Sequence, residues 1–344
     1  MDPELGRDLV TLGMVKEITV TGDAVTVAVE LTTPACPLRA QIGRDVETAV
    51  RAAGARTVKV EFTANVAARR TPERARLVGV KHVIAVASGK GGVGKSTVAV
   101  NLALALQAHG STVGILDADV YGPSVPQMMG TAATPARAMD EGRITPAVHH
   151  GVKVMSVGFF VERGGAVVWR GPMVHKLLQQ FVEDVDWGTL DDLVVDLPPG
   201  TGDAQLSLSQ LVPLSGAVMV TTPQEVAVND VVKGCAMFDK VDVPILGVIE
   251  NMSGYVCPQC GHHDPIFAAG GGRRLAEEVG APFLGEIPID GAVARGGDAG
   301  VPVVAGAPSS QHARIFMELA ATLAGRISQH VLTPRQPPDL HVVA

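Results

Sequence analysis

The chain has 344 residues, 47% of them hydrophobic and 18% charged, so it can bury a sizeable core and is excluded from the disordered class. A formal net charge of -7 leaves no basic face for a phosphate backbone, which argues against sequence-independent nucleic-acid binding. No apolar run approaches the roughly 18 residues that span a bilayer, and the opening "MDPELGRDLV" lacks the regions of a signal peptide, so no membrane partner and a cytoplasmic location are expected. In chain order, residues 4–62 read as helix, strand, strand, helix, strand. "ELGRDLVTLGMV" comes first, "VKEITVTGDAVTVAVEL" alternates Val and Ile around a Gly-Asp turn, "LRAQIGRDVETAVRAAG" is amphipathic, and "RTVKVEF" closes the unit. This predicts a small N-terminal α+β domain over 1–64. The Arg-rich stretch 65–80 reads as an exposed linker. Residues 81–330 then alternate apolar strands with helices, the rhythm of an α/β fold with a mostly parallel sheet flanked by helices. The strands are "HVIAVAS", "TVGILDA", "VKVMSV", "DDLVVDLP", "GAVMVTT", "PILGVIEN" and "PFLGEIP". After the last helix, "SQHARIFMELAATLAGRI", the Pro-containing residues 331–344 read as a flexible tail.

The stretch "SGKGGVGKST" lies between a predicted strand and a predicted helix. It matches the P-loop pattern G-x-x-x-x-G-K-[ST] from Gly89 through Lys90, Gly91, Gly92, Val93, Gly94 and Lys95 to Ser96, with Thr97 following. Glycines let successive N–H groups curl around phosphate oxygens, and the following helix aims its positive end at them. Lys95 then neutralises the β and γ phosphates of ATP while the Ser96 hydroxyl ligates Mg2+. Two further strand ends are acidic, Asp117 and Asp119 in "LDADVYGPS" and Asp196 in "VVDLPPGTGD". Ligands of open parallel sheets bind at the carboxyl ends of strands, where these carboxylates and Asn251 lie.

Lys90, directly after the first glycine, makes this the deviant form of the P-loop, which resembles the ParA, MinD and nitrogenase-iron-protein class of ATPases. In that class the extra lysine reaches across a two-fold axis to the partner's nucleotide, so the resemblance implies a homodimer and adds Lys90 to Lys95 as a catalytic group. It also implies that Asp119 orients the attacking water, that Asp117 and Asp196 hold Mg2+ through its waters, and that Asn251 contacts the adenine.

"YVCPQCGHH" places Cys257 and Cys260 on a tight turn that points two sulfurs at one metal. A 4Fe-4S cluster takes four thiolates, and neither Cys36 nor Cys235 has a partner at metal-ligand spacing. His262 and His263 are adjacent and poorly placed to converge on the same ion. One Cys-x-x-Cys from each of two protomers completes the count and agrees with the dimer that Lys90 implies.

"SGKGGVGKST", "DADVYGPS", "WRGPM", "DLPPGTGD", "ENMS" and "CPQCGHH", in this order, resemble the Mrp/ApbC family of iron–sulfur cluster carrier ATPases, and the first 64 residues resemble the MIP18-type domain, "LTTPACPL" included. The resemblance implies a weak ATPase in which Mg-ATP switches the dimer, a shared 4Fe-4S cluster, and apo iron–sulfur proteins and cluster assembly scaffolds as partners. The competing readings are a ParA/MinD-like positioning ATPase and a zinc-stabilised P-loop enzyme.

Overall fold

A computed structural model describes residues 7–21, 23–64, 77–139, 142–160, 171–200, 202–257 and 259–332. Most of the expected linker, Trp169 and Arg170 of "WRGPM", and all but the start of the expected tail lie outside these residues.

The N-terminal unit consists of β1 (Val15–Thr21), β2 (Ala24–Leu31), α1 (Arg39–Ala52) and β3 (Thr57–Ala64). β1 is antiparallel to β2, β2 is parallel to β3, and α1 is the crossover. Ile42 of α1 is buried with Val27, Val29 and Leu31 of β2, the residues on the inward face of an alternating strand. The helix expected before β1 is instead one hydrogen-bonded turn. Asp8 Oδ1 accepts from Thr11 N–H at 2.7 Å, and Gly13, at φ 66°, ends the winding so that Leu9 and Met14 fold inward together.

The rest of the chain contributes β4 (Val80–Ser88), α2 (Lys95–Ala108), β5 (Val113–Asp117), α3 (Val125–Met128) and a two-residue ribbon, β6 (Arg137–Ala138) with β7 (Ile144–Thr145). Next come β8 (Ala147–His149), β9 (Val152–Ser156), α4 (Gly171–Glu183), β10 (Leu190–Asp196), α5 (Asp203–Leu211), β11 (Gly216–Thr221), α6 (Glu225–Lys240) and β12 (Ile245–Val256). β13 (His263–Asp264), α7 (Gly271–Glu278), β14 (Phe283–Ile289), α8 (Gly291–Asp298), α9 (Val303–Gly306) and α10 (Gln311–Leu332) complete it.

The large sheet has the order β13-β12-β11-β4-β10-β5-β9-β8, with β14 also beside β12. Its strands are parallel except β8, antiparallel to β9 after it, and β13, antiparallel to β12 before it. Both faces are covered, which is why β5, β10 and β11 are buried along their whole length. On one face α2 and α10 pack over Ile84, Val86, Val194 and Val218; on the other α4, α6 and α7 pack over Val83, Leu193, Val195 and Met219. α2 is buried from Val98 to Leu106, wedged between sheet and α10, so it carries no polar face.

The two units touch at the far end of α2. Ala35, 1% exposed, is buried in the same cluster as residues of α2 and α10, and Pro34 packs over Gly110. Cys36 lines a cavity of about 730 Å3 there with Phe62, His109 and Met317. A 14-residue helix spans about 21 Å, so α2 separates Cys36 from the P-loop at its other end. Among the described residues no helix is long and apolar enough to cross a membrane.

Candidate functional site

The loop from Gly89 to Gly94 follows β4 and delivers the chain into α2 at Lys95. Its glycines serve two ends. Gly92 and Gly94 have φ of 81° and 80°, the left-handed region that glycine enters without penalty. Gly89 and Gly94 also lie against protein: a Cβ on Gly89 would sit 2.4 Å from the backbone of Asp230 in α6, and one on Gly94 would sit 2.2 Å from Asn251 Nδ2. Gly91 and Gly92 have open surroundings, so the concave side of the loop is free to receive a ligand. Ser88 Oγ donates to Lys90 C=O at 3.0 Å and pins the loop's entry, while Val93 is buried beneath it. Ser96 and Thr97 occupy the first turn of α2, whose unpaired N–H groups point at the loop. Lys90 is half-buried at the rim.

The carboxylates converge on Lys95. β10 and β5 run side by side with Asp196 level with Asp117, so two acids end adjacent strands. Lys95 Nζ donates to Asp196 Oδ1 at 2.5 Å and to Ser96 Oγ at 3.4 Å, and lies 3.7 Å from Asp119 Oδ2. Asp196 is fully buried, and its second oxygen, Oδ2, has no hydrogen-bond partner. Such an atom is costly unless a cation or water meets it, which fits the Mg2+ expected there. Burial pushes the Asp196 carboxyl up while Lys95 pulls it down.

Asp117 is placed differently. Its Oδ1 accepts from Asp119 N–H at 3.2 Å, and its Oδ2 accepts from Val125 N–H at 3.2 Å and from Ser156 Oγ at 2.8 Å. All three bonds tie the turn after β5 to the start of α3 and the end of β9, so this side chain holds Asp119 in place. Burial, with Asp196 alongside, pushes its pKa up to about 8. Ser156 escaped the sequence reading because it sits in no motif. Its one signal was position: a polar residue ending the strand next to β5, level with Asp117.

β12 does not stop near Asn251 as expected but runs on to Val256, because β14 and then β13 supply partners beyond the end of β11. Asn251 Nδ2 donates to Val93 C=O at 2.8 Å, so its amide grips the P-loop itself. Cys257 follows β12 directly. Its N–H donates to His262 C=O and its C=O accepts from Gly261 N–H, both at 2.9 Å, closing a tight hairpin into β13. Cys257 is half-buried and Cys260 exposed. The N–H groups of Cys260 and Gln259 aim at Cys257 Sγ and lower that thiol's pKa below the usual range. His263 pairs with Val256 and lies over Gly254, and His262 is exposed. Among the described residues no group of three or more His, Cys, Asp or Glu side chains is disposed to hold a metal. Cys235, buried in α6, is pushed up to about 11 by burial and is chemically quiet.

A family model described as the NUBPL iron-transfer P-loop NTPase of the ParA type matches residues 79–324, and one described as iron-sulfur cluster assembly protein matches residues 1–62. An iron-sulfur cluster carrier protein of Deinococcus radiodurans is 51% identical, over 98% of this chain and 96% of its own length. One from a Synechocystis strain is 44% identical, over 96% of each. Among solved structures, a nucleotide-binding protein from Archaeoglobus fulgidus in complex with ADP superposes with a TM-score of 0.59 at 39% identity, over 65% of this chain and 88% of that one.

Proposed function

The chain belongs to the NUBPL-type iron-transfer P-loop NTPase family, and on that premise we propose that it carries a 4Fe-4S cluster between two copies of itself and delivers it to apo iron–sulfur proteins, with slow ATP hydrolysis as the switch. The observation that carries this reading is the incomplete thiol site. Cys257 and Cys260 are presented together at a hairpin tip with no third ligand among the described residues. Half of a four-thiolate site on each of two chains closes symmetrically across a two-fold axis. A cargo held by only two ligands per chain is released when that interface shifts.

ATP is the fuel, and this chain's groups divide its handling. The backbone from Gly89 to Thr97 cradles the phosphates, and Lys95 moves from its carboxylate partners to the β and γ oxygens. When bound, Mg2+ offsets the charge of the terminal phosphates; Ser96 and Asp196, the latter with its unpartnered Oδ2, are the groups that fit it, with Asp117 behind them. Asp119, anchored through its own N–H, orients the water that adds to phosphorus as the bond to ADP breaks. Lys90 of one protomer serves the partner's nucleotide. In this reading apo iron–sulfur proteins are the acceptors and cluster assembly scaffolds the donors.

Anaerobic reconstitution with ferrous iron and sulfide tests the reading. It requires a brown dimeric species with roughly two irons and two sulfides per chain, lost in Cys257→Ser and in Cys260→Ser. A colourless chain holding stoichiometric zinc without sulfide overturns it.

A further inference from the structure

The P-loop and the thiol hairpin are joined by one strand. β11 ends at Thr221, opposite Glu250, whereas β12 continues another six residues' worth of chain to Val256. The first residue past that point, Asn251, is 9% exposed and grips Val93 C=O at 2.8 Å. A Cβ on Gly94 would meet Asn251 Nδ2 and, at 3.8 Å, Met252 Cε. Two successive side chains of β12 therefore bear on the loop where its backbone turns left-handed.

Immediately afterwards the strand bends. Met252 has φ 57° and Gly254 φ 131°, and the pairing with β14 changes register between Asn251 and Tyr255. A methionine in the left-handed region is strained, and it persists only where its surroundings impose it. Beyond the bend the hairpin is stiff: a Cβ on Gly254 would lie 2.8 Å from His263 Nε2, and Tyr255 and Val256 pair with Asp264 and His263. The return end is pinned separately. Glu250, fully buried, accepts from Gly270 N–H at 3.1 Å and from Gly272 N–H at 2.5 Å, locking the start of α7 to β12. Between these roots, residues 251–254 carry both positive-φ positions and the change of register, so this is where the hairpin's angle to the strand is set.

We propose that Asn251 is a positioning residue that couples the P-loop to the cysteine pair, so that a change at Val93 when phosphate is bound alters the tilt of the hairpin bearing Cys257 and Cys260. This inference rests on the reading above that the loop binds Mg-nucleotide; it does not depend on the cargo. A nucleotide biases the hairpin only as far as the Asn251–Val93 contact differs between the two tilts. One hydrogen bond supplies roughly a two- to tenfold bias.

The test uses the full-length, reduced, metal-free chain. Iodoacetamide alkylation of Cys257 and Cys260 is timed by peptide mass spectrometry, without nucleotide and with MgADP at saturation, saturation being set for each variant by titration with a fluorescent ADP analogue. The wild-type rates differ roughly two- to tenfold between the two conditions. In Asn251→Ala the ratio collapses to one, and in Asn251→Leu, which keeps the volume should the alanine variant unfold, it does the same; circular dichroism confirms the fold of each. A wild-type ratio of one with nucleotide demonstrably bound overturns the coupling alone. A ratio retained in folded Asn251 variants assigns the coupling to another route and overturns the role of Asn251. Absence of any nucleotide binding by the wild-type chain overturns the proposed function and this inference with it.

Discussion

At the carboxyl ends of the large sheet's strands, the loop that follows β4 and the loop that follows β12 are built in opposite ways. Beneath the phosphate loop the charges are buried and held: Lys95 lies against Asp196 and Asp119, Asp117 accepts from Asp119 N–H, Val125 N–H and Ser156 Oγ, and Gly89 and Gly94 leave no room for a side chain. Around the thiol hairpin two backbone bonds hold the tip, Cys260 faces solvent, and Tyr255, Ile266 and Phe267 stand exposed beside it. The difference fits what the proposed function asks of each end. Stabilising charge on a reacting phosphate needs fixed groups in a dry place, whereas handing over a cluster needs ligands that an acceptor's thiols can reach.

Four outcomes break or sharpen this contrast. Lys95→Ala strikes the rigid end, leaving Asp196 buried beside Asp117 without a counter-charge. ATP hydrolysis, followed by phosphate release, should fall about 10²–10³-fold, as for loss of one group that meets developing charge. Cys257→Ser strikes the exposed end and should abolish the reconstituted cluster's absorption while changing unfolding free energy by less than about 0.5 kcal/mol. A large loss of stability in that variant would show that the hairpin is as structural as the loop. Ser156→Ala returns to the buried side. It removes a donor from Asp117, and urea unfolding should report a loss of about 1–3 kcal/mol, with slower hydrolysis because Asp119 is less well held. The fourth is a pH effect. The Asp117 pKa, about 8 when folded, stands above its unfolded value of 3.8, so the folded chain retains a proton that the unfolded chain releases between these values. The stability this group contributes is complete below the unfolded pKa and is lost as pH rises through the folded one. Urea midpoints should therefore fall from pH 6 to pH 8.5, and fall less in Asp117→Asn.

Much of the candidate site was legible because its signals are local. The run Gly89–Thr97 carries its spacing within nine consecutive positions, and Cys257 with Cys260 needs only four. What lay hidden depends on which strands become neighbours. Ser156 is 39 residues from Asp117 and meets it only because β9 lies beside β5. The sequence offered Asn251 as a group for the nucleotide base and gave no sign that its amide also holds Val93, which follows β4, across the one intervening strand, β11. The first turn resembled a helix by its apolar spacing, but Gly13 ends it and the pull of Leu9 and Met14 into the small core decides its path. Likewise, nothing local to "TTPACPL" told that Ala35 would be buried against α2 and α10.

The sequence by itself determined most of the large sheet's buried strands, the P-loop and the thiol pair, since backbone conformation at glycines and ligand spacing on a turn are set over a few residues. Tertiary structure alone decided that Asp117 serves its own turn, that Ser156 supports it, and that the strand bearing the cysteines presses on the phosphate loop. Those contacts arise from strand order and register, which are chosen by burying all apolar faces at once, and no short stretch of chain contains that sum.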